Sequence, residues 1–128
     1  MPKYLSQEWL DESRKLAESQ PVRPGATATI QYHTTGAPEG DVKYYWKLED
    51  GKLLDSQLGE TAEADFTLTM TYDDAVKVQK GELDPNAAFM QGKMKVSGNM
   101  AKLMSLLPLT NSPEYKDLQV QIRDVTDF

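Results

Sequence analysis

The chain has 128 residues, 20 acidic and 14 basic side chains, a formal net charge of −6 and no cysteine. A chain of this length can bury about two-thirds of the surface that it exposes when unfolded, and we expect one domain over residues 1–128. The missing cysteines exclude disulfides, thiolate metal sites and a cysteine nucleophile, and the acidic balance without a run of Lys and Arg argues against nucleic-acid binding.

The first half of the chain predicts one helix followed by strands. Leu5, Trp9 and Leu16 lie on one side of a helical wheel, and Ser6 is a suitable N-cap, so we predict a helix over Gln7–Ser19. From Ala26 the period changes to two, which is typical of half-buried strands. The predicted strands are the alternating segments ATATIQYH, VKYYWKLE, KLLDSQLG after the Asp50-Gly51 hairpin turn, and DFTLTMTY.

The second half predicts helices around one more strand. A capping box at Thr71–Asp74 begins a helix that ends at Gly81, and Asp84-Pro85 begins a short helix through about Met90. The segment KMKVS is the fifth strand. Asn99 caps a helix with an apolar stripe that Pro108 ends, and Ser112-Pro113 opens the last one. We therefore predict an α+β fold, a five-stranded mixed sheet covered by about five helices.

The sequence offers little for catalysis or metal binding. The single histidine, His33, is in phase with the polar side of its strand, and a lone imidazole makes neither a triad nor a zinc site. Asp73 and Asp74 are adjacent, but acids in the first turn of a helix complement its dipole. No nucleophile elbow, phosphate-binding loop or zinc-protease motif occurs. We expect no enzyme activity, no catalytic residue, no metal and no cofactor.

Four of the six methionines lie within one strand-turn-helix unit, at positions 90, 94, 100 and 104. A methionine stripe at helical spacing is often plain core. Methionine is also unbranched and polarisable, so that an apolar surface made of it can adapt to ligands of different shape. The residues alone leave a soft core and an adaptable apolar pocket equally open.

The segment GELDPNAAFMQGKMKVSGNMAKLMSLLPLT resembles the signature region of the sterol carrier protein type 2 family, the sterol-carrier lipid-transfer domain. The family has a short G-x-L-x-P-x-x-A-F helix, then an M-x-G-K-[LM]-K-[VI]-x-G-[ND]-[ML] strand and turn, and then a helix rich in Leu and Met. The resemblance is strong over Ala64–Thr110, and both ends of the chain look like the small stand-alone bacterial members.

The resemblance implies an apolar tunnel enclosed by the sheet and helices, which holds fatty acids, fatty acyl-CoA, sterols or phospholipids without chemical change. Carried over position by position, it implies that the ligand-binding residues are Phe89, Met90, Gln91, Met94, Val96, Met100, Leu103, Met104 and Leu107. Asn99 would be a further polar group near the wall, although capping its helix explains it equally well. Lys93 and Lys95 are better explained as solubilising charges on the outer face of the strand.

The expected partner is an apolar lipid ligand. The alternative is an accessory interaction domain that docks on an enzyme of lipid or steroid metabolism without carrying a ligand. The N-terminal sequence turns polar at once, unlike a signal peptide, and no apolar run approaches the ~20 residues of a membrane span. The absence of cysteine fits a cytoplasmic location, which we expect. Because anionic membranes repel an acidic protein, we expect at most transient membrane contact.

Overall fold

The computed structural model describes all 128 residues, which form six α-helices and five strands. The helices are α1 (Gln7–Leu16), α2 (Tyr72–Gln79), α3 (Pro85–Met90), α4 (Met100–Ser105), α5 (Leu107–Thr110) and α6 (Pro113–Asp124). The strands are β1 (Ala28–Ala37), β2 (Gly40–Glu49), β3 (Lys52–Leu58), β4 (Phe66–Thr71) and β5 (Lys95–Gly98). A 3₁₀ turn over Ala17–Ser19 follows α1.

The five strands form one sheet in the order β3-β2-β1-β4-β5. Strand β1 runs parallel to β4, and the other three neighbouring pairs are antiparallel. The predicted α+β class and the five-stranded mixed sheet are therefore confirmed.

The register aligns inward side chains into rows that cross the sheet. One row runs from β2 to β5 through Tyr44, Tyr32, Leu68 and Val96. The adjacent row contains Trp46, Ile30, Phe66 and Gly98. Since side chains alternate between the two faces of a strand, these residues share the face that the helices cover.

All five predicted N-caps are confirmed. The side chains of Ser6, Thr71, Asp84, Asn99 and Ser112 each accept a hydrogen bond from the backbone N–H three residues further along. A capping side chain satisfies one of the donors that a helix start leaves without an intrahelical partner. These polar residues therefore fix where each covering helix begins.

The ends of two helices differ from the sequence prediction. The predicted helix over Gln7–Ser19 is α-helical only to Leu16, and its last three residues form the 3₁₀ turn. The prediction that Pro108 ends the methionine-rich helix is wrong, because α4 ends at Ser105 and Pro108 lies in the first turn of α5. Proline cannot continue an established helix, but its missing N–H costs nothing in a first turn.

The buried core has two parts on the covered face. Trp9 and Leu10 of α1 are almost fully buried with Tyr44 and Trp46 of β2 and with Leu118 and Ile122 of α6. The second part joins Ile30 and Phe66 of the sheet to Leu106 and Leu109. None of the helices combines the length and the apolar character needed to cross a bilayer.

Candidate functional site

An internal cavity of about 420 Å³ lies between the inner face of the sheet and the helices. Of the 31 residues that line it, 21 are hydrophobic, and they come from four strands and from helices α2 to α6. Ligand pockets typically have volumes of about 300–1,000 Å³ and mainly apolar walls with a few polar groups. The cavity can therefore take up a small amphipathic molecule.

The floor of the cavity changes in character across the sheet. Its β4 and β5 half is formed by Phe66, Leu68, Met70 and Val96, which offer only hydrocarbon, ring and thioether surface. Its β2 and β1 half carries Tyr44, Trp46 and Tyr32, so hydroxyl-bearing rings line this end. The cavity thus has an apolar end at β4 and β5 and, at β2 and β1, an end with hydroxyl-bearing rings, which we call the aromatic end.

Three apolar side chains mark an opening of the cavity at α3 and α4. Phe89, Met100 and Met104 line the cavity, yet their exposed fractions are 44%, 44% and 60%. Side chains that contact both the interior and solvent lie at a rim. We call these three residues the methionine rim.

Short-range backbone bonds hold α3 and the following turn in place beside this rim. The Ala88 carbonyl accepts hydrogen bonds from the N–H groups of Lys93 and Met94 at 2.9 and 3.1 Å. Gly92, which lies between this acceptor and the two donors in the sequence, has a φ of +76°, a left-handed conformation that glycine adopts at little cost. The turn therefore leads the chain directly from α3 into β5.

The structure brings seven of the nine predicted ligand-binding residues together around the cavity. They are Phe89, Met94, Val96, Met100, Leu103, Met104 and Leu107. Met90 and Gln91 do not line it: Met90 is 85% exposed, and Gln91 follows the last residue of α3. Because successive helical residues are turned by about 100°, the two residues after Phe89 point progressively away from the cavity.

Asn99 is also outside the cavity wall. Its Oδ1 accepts the backbone N–H of Lys102 at 3.2 Å, so its role in the structure is the N-cap of α4. Lys93 and Lys95 are exposed and do not line the cavity either. The signature segment contributes Asp84, Asn86 and Thr110 to the polar lining, and the remaining polar lining residues come from other parts of the chain.

Sequence reasoning missed the aromatic end altogether. Tyr32 and Tyr44 belong to the alternating strand pattern, and Tyr115 follows the N-cap of α6. The alternating patterns of β1 and β2 follow each other directly in the sequence, which indicates that the two strands pair. This signal could have placed Tyr32 and Tyr44 side by side. The packing of α6 over them depends on the tertiary fold and leaves no signal of comparable strength in the sequence.

Burial sets the protonation of these tyrosines. It raises the pKa of both Tyr32 and Tyr44 well above the ordinary value, and raises the pKa of Tyr115 to about 12. Loss of a proton would leave a phenolate in a poorly solvated site, which disfavours the charged form. All three hydroxyls are therefore neutral at neutral pH.

Charged side chains are confined to the periphery. Asp84 and Lys116 line the cavity but are themselves exposed, and Asp84 caps α3. His33 also borders the cavity, but it alternates with Tyr32 along β1, and its Nε2 lies 3.3 Å from Asp41 Oδ2. Hydrogen bonds from the Gly36 N–H and from His33 lower the pKa of the Asp41 carboxyl. No three His, Asp or Glu side chains converge in a way that could hold a metal ion.

Comparisons with known proteins agree on one relationship. The model of the SCP-2 sterol transfer family matches residues 7–111. Hydroxysteroid dehydrogenase-like protein 2 of Bos taurus is 33% identical over 99 residues, which are 77% of this chain and 23% of that protein. Sterol carrier protein 2 of Rattus norvegicus is 40% identical over 52 residues, 41% of this chain and 10% of that protein.

The chain thus spans less than a quarter of the length of these relatives. A crystal structure of sterol carrier protein 2 superimposes with a TM-score of 0.73 at 17% identity, covering 98% of this chain and 100% of that chain. The fold is therefore shared over the whole length.

Proposed function

The chain belongs to the SCP-2 sterol transfer family, a family of lipid binding and transfer, and we propose that it holds one lipid molecule in the cavity and transfers it without chemical change. The ligand classes proposed are fatty acid, fatty acyl-CoA, sterol and phospholipid. The observation that carries the proposal is the cavity of about 420 Å³ with its mainly hydrophobic lining.

Burial of the lipid chain would supply the affinity. Each methylene group removed from water contributes about 0.8 kcal/mol, which corresponds to about a fourfold gain in affinity. Affinity should therefore rise by about this factor per added methylene until the chain is longer than the cavity. The cost of immobilising the ligand is subtracted once, so it does not change the gain in affinity per added methylene group.

We propose that the seven lining residues of the signature segment contact the apolar part of the ligand. Met94, Met100 and Met104 suit this role because an unbranched thioether side chain can repack around ligands of different shape. The exposure of Met100 and Met104 supports entry of the ligand at the methionine rim. Met90 and Gln91, which point elsewhere, are not part of the proposed contact surface.

The test is native mass spectrometry of the purified protein, combined with displacement of a fluorescent fatty acid. Leu68→Trp fills the middle of the cavity floor, where Leu68 lies between Tyr32 and Val96 in the sheet. Leu54→Trp makes the same chemical change at a residue of β3 that is 56% exposed and lies away from the cavity. We expect at least a tenfold loss of probe affinity in the first variant and none in the second.

Two outcomes would contradict the proposal. One is that neither co-purified lipid nor micromolar probe binding is found. The other is that Leu68→Trp and Leu54→Trp bind the probe equally well while both are folded. The first result would favour the docking alternative, in which the domain serves an enzyme of lipid metabolism through its surface. An interior without a cavity would favour the docking alternative. The cavity of about 420 Å³ favours ligand binding instead.

A further inference from the structure

Five uncharged polar side chains surround the aromatic end of the cavity. They are Tyr32, Tyr44, Gln79, Tyr115 and Gln119, and we call them the tyrosine end. All five also line a smaller adjoining pocket of about 50 Å³. The polar groups are thus concentrated where the two spaces meet, under α2 and α6.

The geometry brings the tyrosines to the same space. Tyr32 and Tyr44 are direct cross-strand partners of β1 and β2, and their rings stack with centroids 4.6 Å apart and planes 10° apart. Because the two residues are on the same face of the sheet, both rings extend toward the covering helices. Tyr115, in the first turn of α6, lines the same space from the helix side.

The polar groups of the tyrosine end have no hydrogen-bond partner within the protein. Neither the three tyrosine hydroxyls nor the amides of Gln79 and Gln119 make a hydrogen bond to a protein atom, and none of them is sealed from the cavity. The Trp46 indole N–H, whose ring lines the same two spaces, also has no partner in the protein. By contrast, the buried Ser56 hydroxyl of β3 donates to the Leu10 carbonyl at 2.9 Å. Polar groups that border a cavity without a protein partner are free to bond to whatever occupies it, so their concentration at one end favours hydrogen bonding to a guest there.

The surroundings favour a guest group without charge. Of the other ionisable residues that border the cavity, Asp84 and Lys116 are exposed, and the His33 imidazole, which alternates with Tyr32 along β1, lies beside Asp41. An ionised carboxylate placed among the five uncharged groups would lose its hydration without gaining a cation, which is costly. A hydroxyl or carbonyl group loses far less hydration and can both accept from and donate to these side chains.

We propose that the tyrosine end is a subsite for an uncharged polar group of the lipid, a hydroxyl or a carbonyl oxygen. The ligand would then lie across the sheet, with its neutral polar group at β2 and β1 and its apolar part along β4 and β5 toward the methionine rim. This inference rests on the proposed function and adds to it the class of head group and the direction of binding.

The experiment compares three ligands of equal chain length: dodecanol, dodecanoic acid and dodecane. Each is titrated at neutral pH against the full chain loaded with a fluorescent apolar probe, and displacement gives its affinity. A neutral hydrogen bond changes affinity by about fivefold to tenfold. We expect dodecanol to bind more tightly than dodecane by about that factor, and more tightly than dodecanoate.

A matched set of variants locates the effect. Tyr44→Phe and Tyr115→Phe remove one hydroxyl each and keep the rings. Tyr45→Phe makes the same change on the opposite face of β2, where the side chain does not line the cavity. Each of the first two should lower dodecanol affinity about fivefold and leave dodecane affinity unchanged. Tyr45→Phe should change neither, and unchanged dodecane binding also shows that the fold is intact.

The possible results separate the two proposals. If dodecane and dodecanoate bind but dodecanol has no advantage over them, the subsite inference is wrong and the lipid-binding proposal stands. Equal dodecanol affinities for Tyr44→Phe, Tyr115→Phe and Tyr45→Phe would overturn the inference as well. If none of the three ligands binds, both proposals fail.

Discussion

Replacement of Gly98 by alanine should weaken the attachment of β5 to the sheet. Gly98 has a φ of +116°, and a Cβ built on it would lie 2.7 Å from the Asp65 carbonyl oxygen and 2.8 Å from the Phe66 Cα. Both contacts are backbone atoms at the start of β4, so neither can rotate away as the end of a side chain would. A left-handed conformation costs a residue with a Cβ about 1–2 kcal/mol. Overpacking adds about 1–3 kcal/mol, for a total of about 2–5 kcal/mol.

Gly92→Ala separates the two contributions. Gly92 also has a positive φ, +76°, but a Cβ there would meet no atom within 4 Å. This variant should lose only the conformational part, about 1–2 kcal/mol. Denaturant unfolding followed by the fluorescence of Trp9 and Trp46 measures both values. Gly98→Ala should also weaken binding of the fluorescent fatty acid, because β5 positions Val96 on the cavity floor. Equal losses of stability in the two variants would refute the steric reasoning.

Three further predictions concern capping, a buried donor and pH. Asn99→Ala should lose about 1 kcal/mol of unfolding free energy with its N-cap, whereas Asn86→Ala, which removes an exposed amide, should lose far less. Thr126→Val should lower the free energy of unfolding by about 1–3 kcal/mol, because it removes the acceptor 3.1 Å from the indole N–H of the buried Trp9. In a Trp9→Phe background the same substitution should cost less, since the donor is then absent. An equal cost in both backgrounds, measured by denaturation, would contradict this reasoning. The pKa of Tyr115 rises from 10.0 to about 12 on folding, so the unfolded chain loses this proton first and stability should fall as pH rises through that interval. Denaturation curves at the two ends of the interval should show a smaller loss for Tyr115→Phe than for the unaltered chain.

The strand pairing and the helix starts could be predicted because local chemistry determines them. The alternating pattern specifies which side chains face inward, and the Asp50-Gly51 turn fixes the pairing of β2 with β3. The five N-caps depend only on residues within one turn. The order of β1, β4 and β5 does not follow from such local signals, since a parallel neighbour can be joined through any connection long enough to cross the sheet.

The helix after Asn99 shows where local signals mislead. The sequence predicts that Pro108 ends this helix, and a proline at this position does prevent α4 from continuing as one long helix. The chain then starts a new helical turn, α5, whose Leu109 is buried against Leu106 and the sheet. The sequence signal only forbids one long helix, and the buried position of Leu109 in the second part of the core accompanies the new helical turn.

The candidate site was predictable only in part, for a related reason. Periodicity places Met94 and Val96 on one face of the predicted strand KMKVS, and Met100 with Leu103 and Met104 on one face of α4. Whether that face packs solidly or leaves a space depends on the summed volume of side chains from four strands and five helices. No pattern in the sequence gives that summed volume. The cavity was expected only because the signature segment resembles that of the family. The two residues that miss the cavity, Met90 and Gln91, lie where α3 ends, the boundary that is least certain in any sequence-based assignment.

The tyrosines also bear on whether the cavity could perform chemistry. A general base near neutral pH needs a group whose pKa lies close to that value, and burial moves Tyr32, Tyr44 and Tyr115 in the opposite direction. The same raised pKa makes each hydroxyl a persistent neutral donor, which suits recognition of an oxygen atom without abstraction of its proton. The stacked pair on β1 and β2 adds rigidity, because neither ring can turn without losing its contact with the other. These properties match the proposed subsite, in which a tyrosine hydroxyl would bond to an oxygen atom of the ligand and leave the protons of both groups in place.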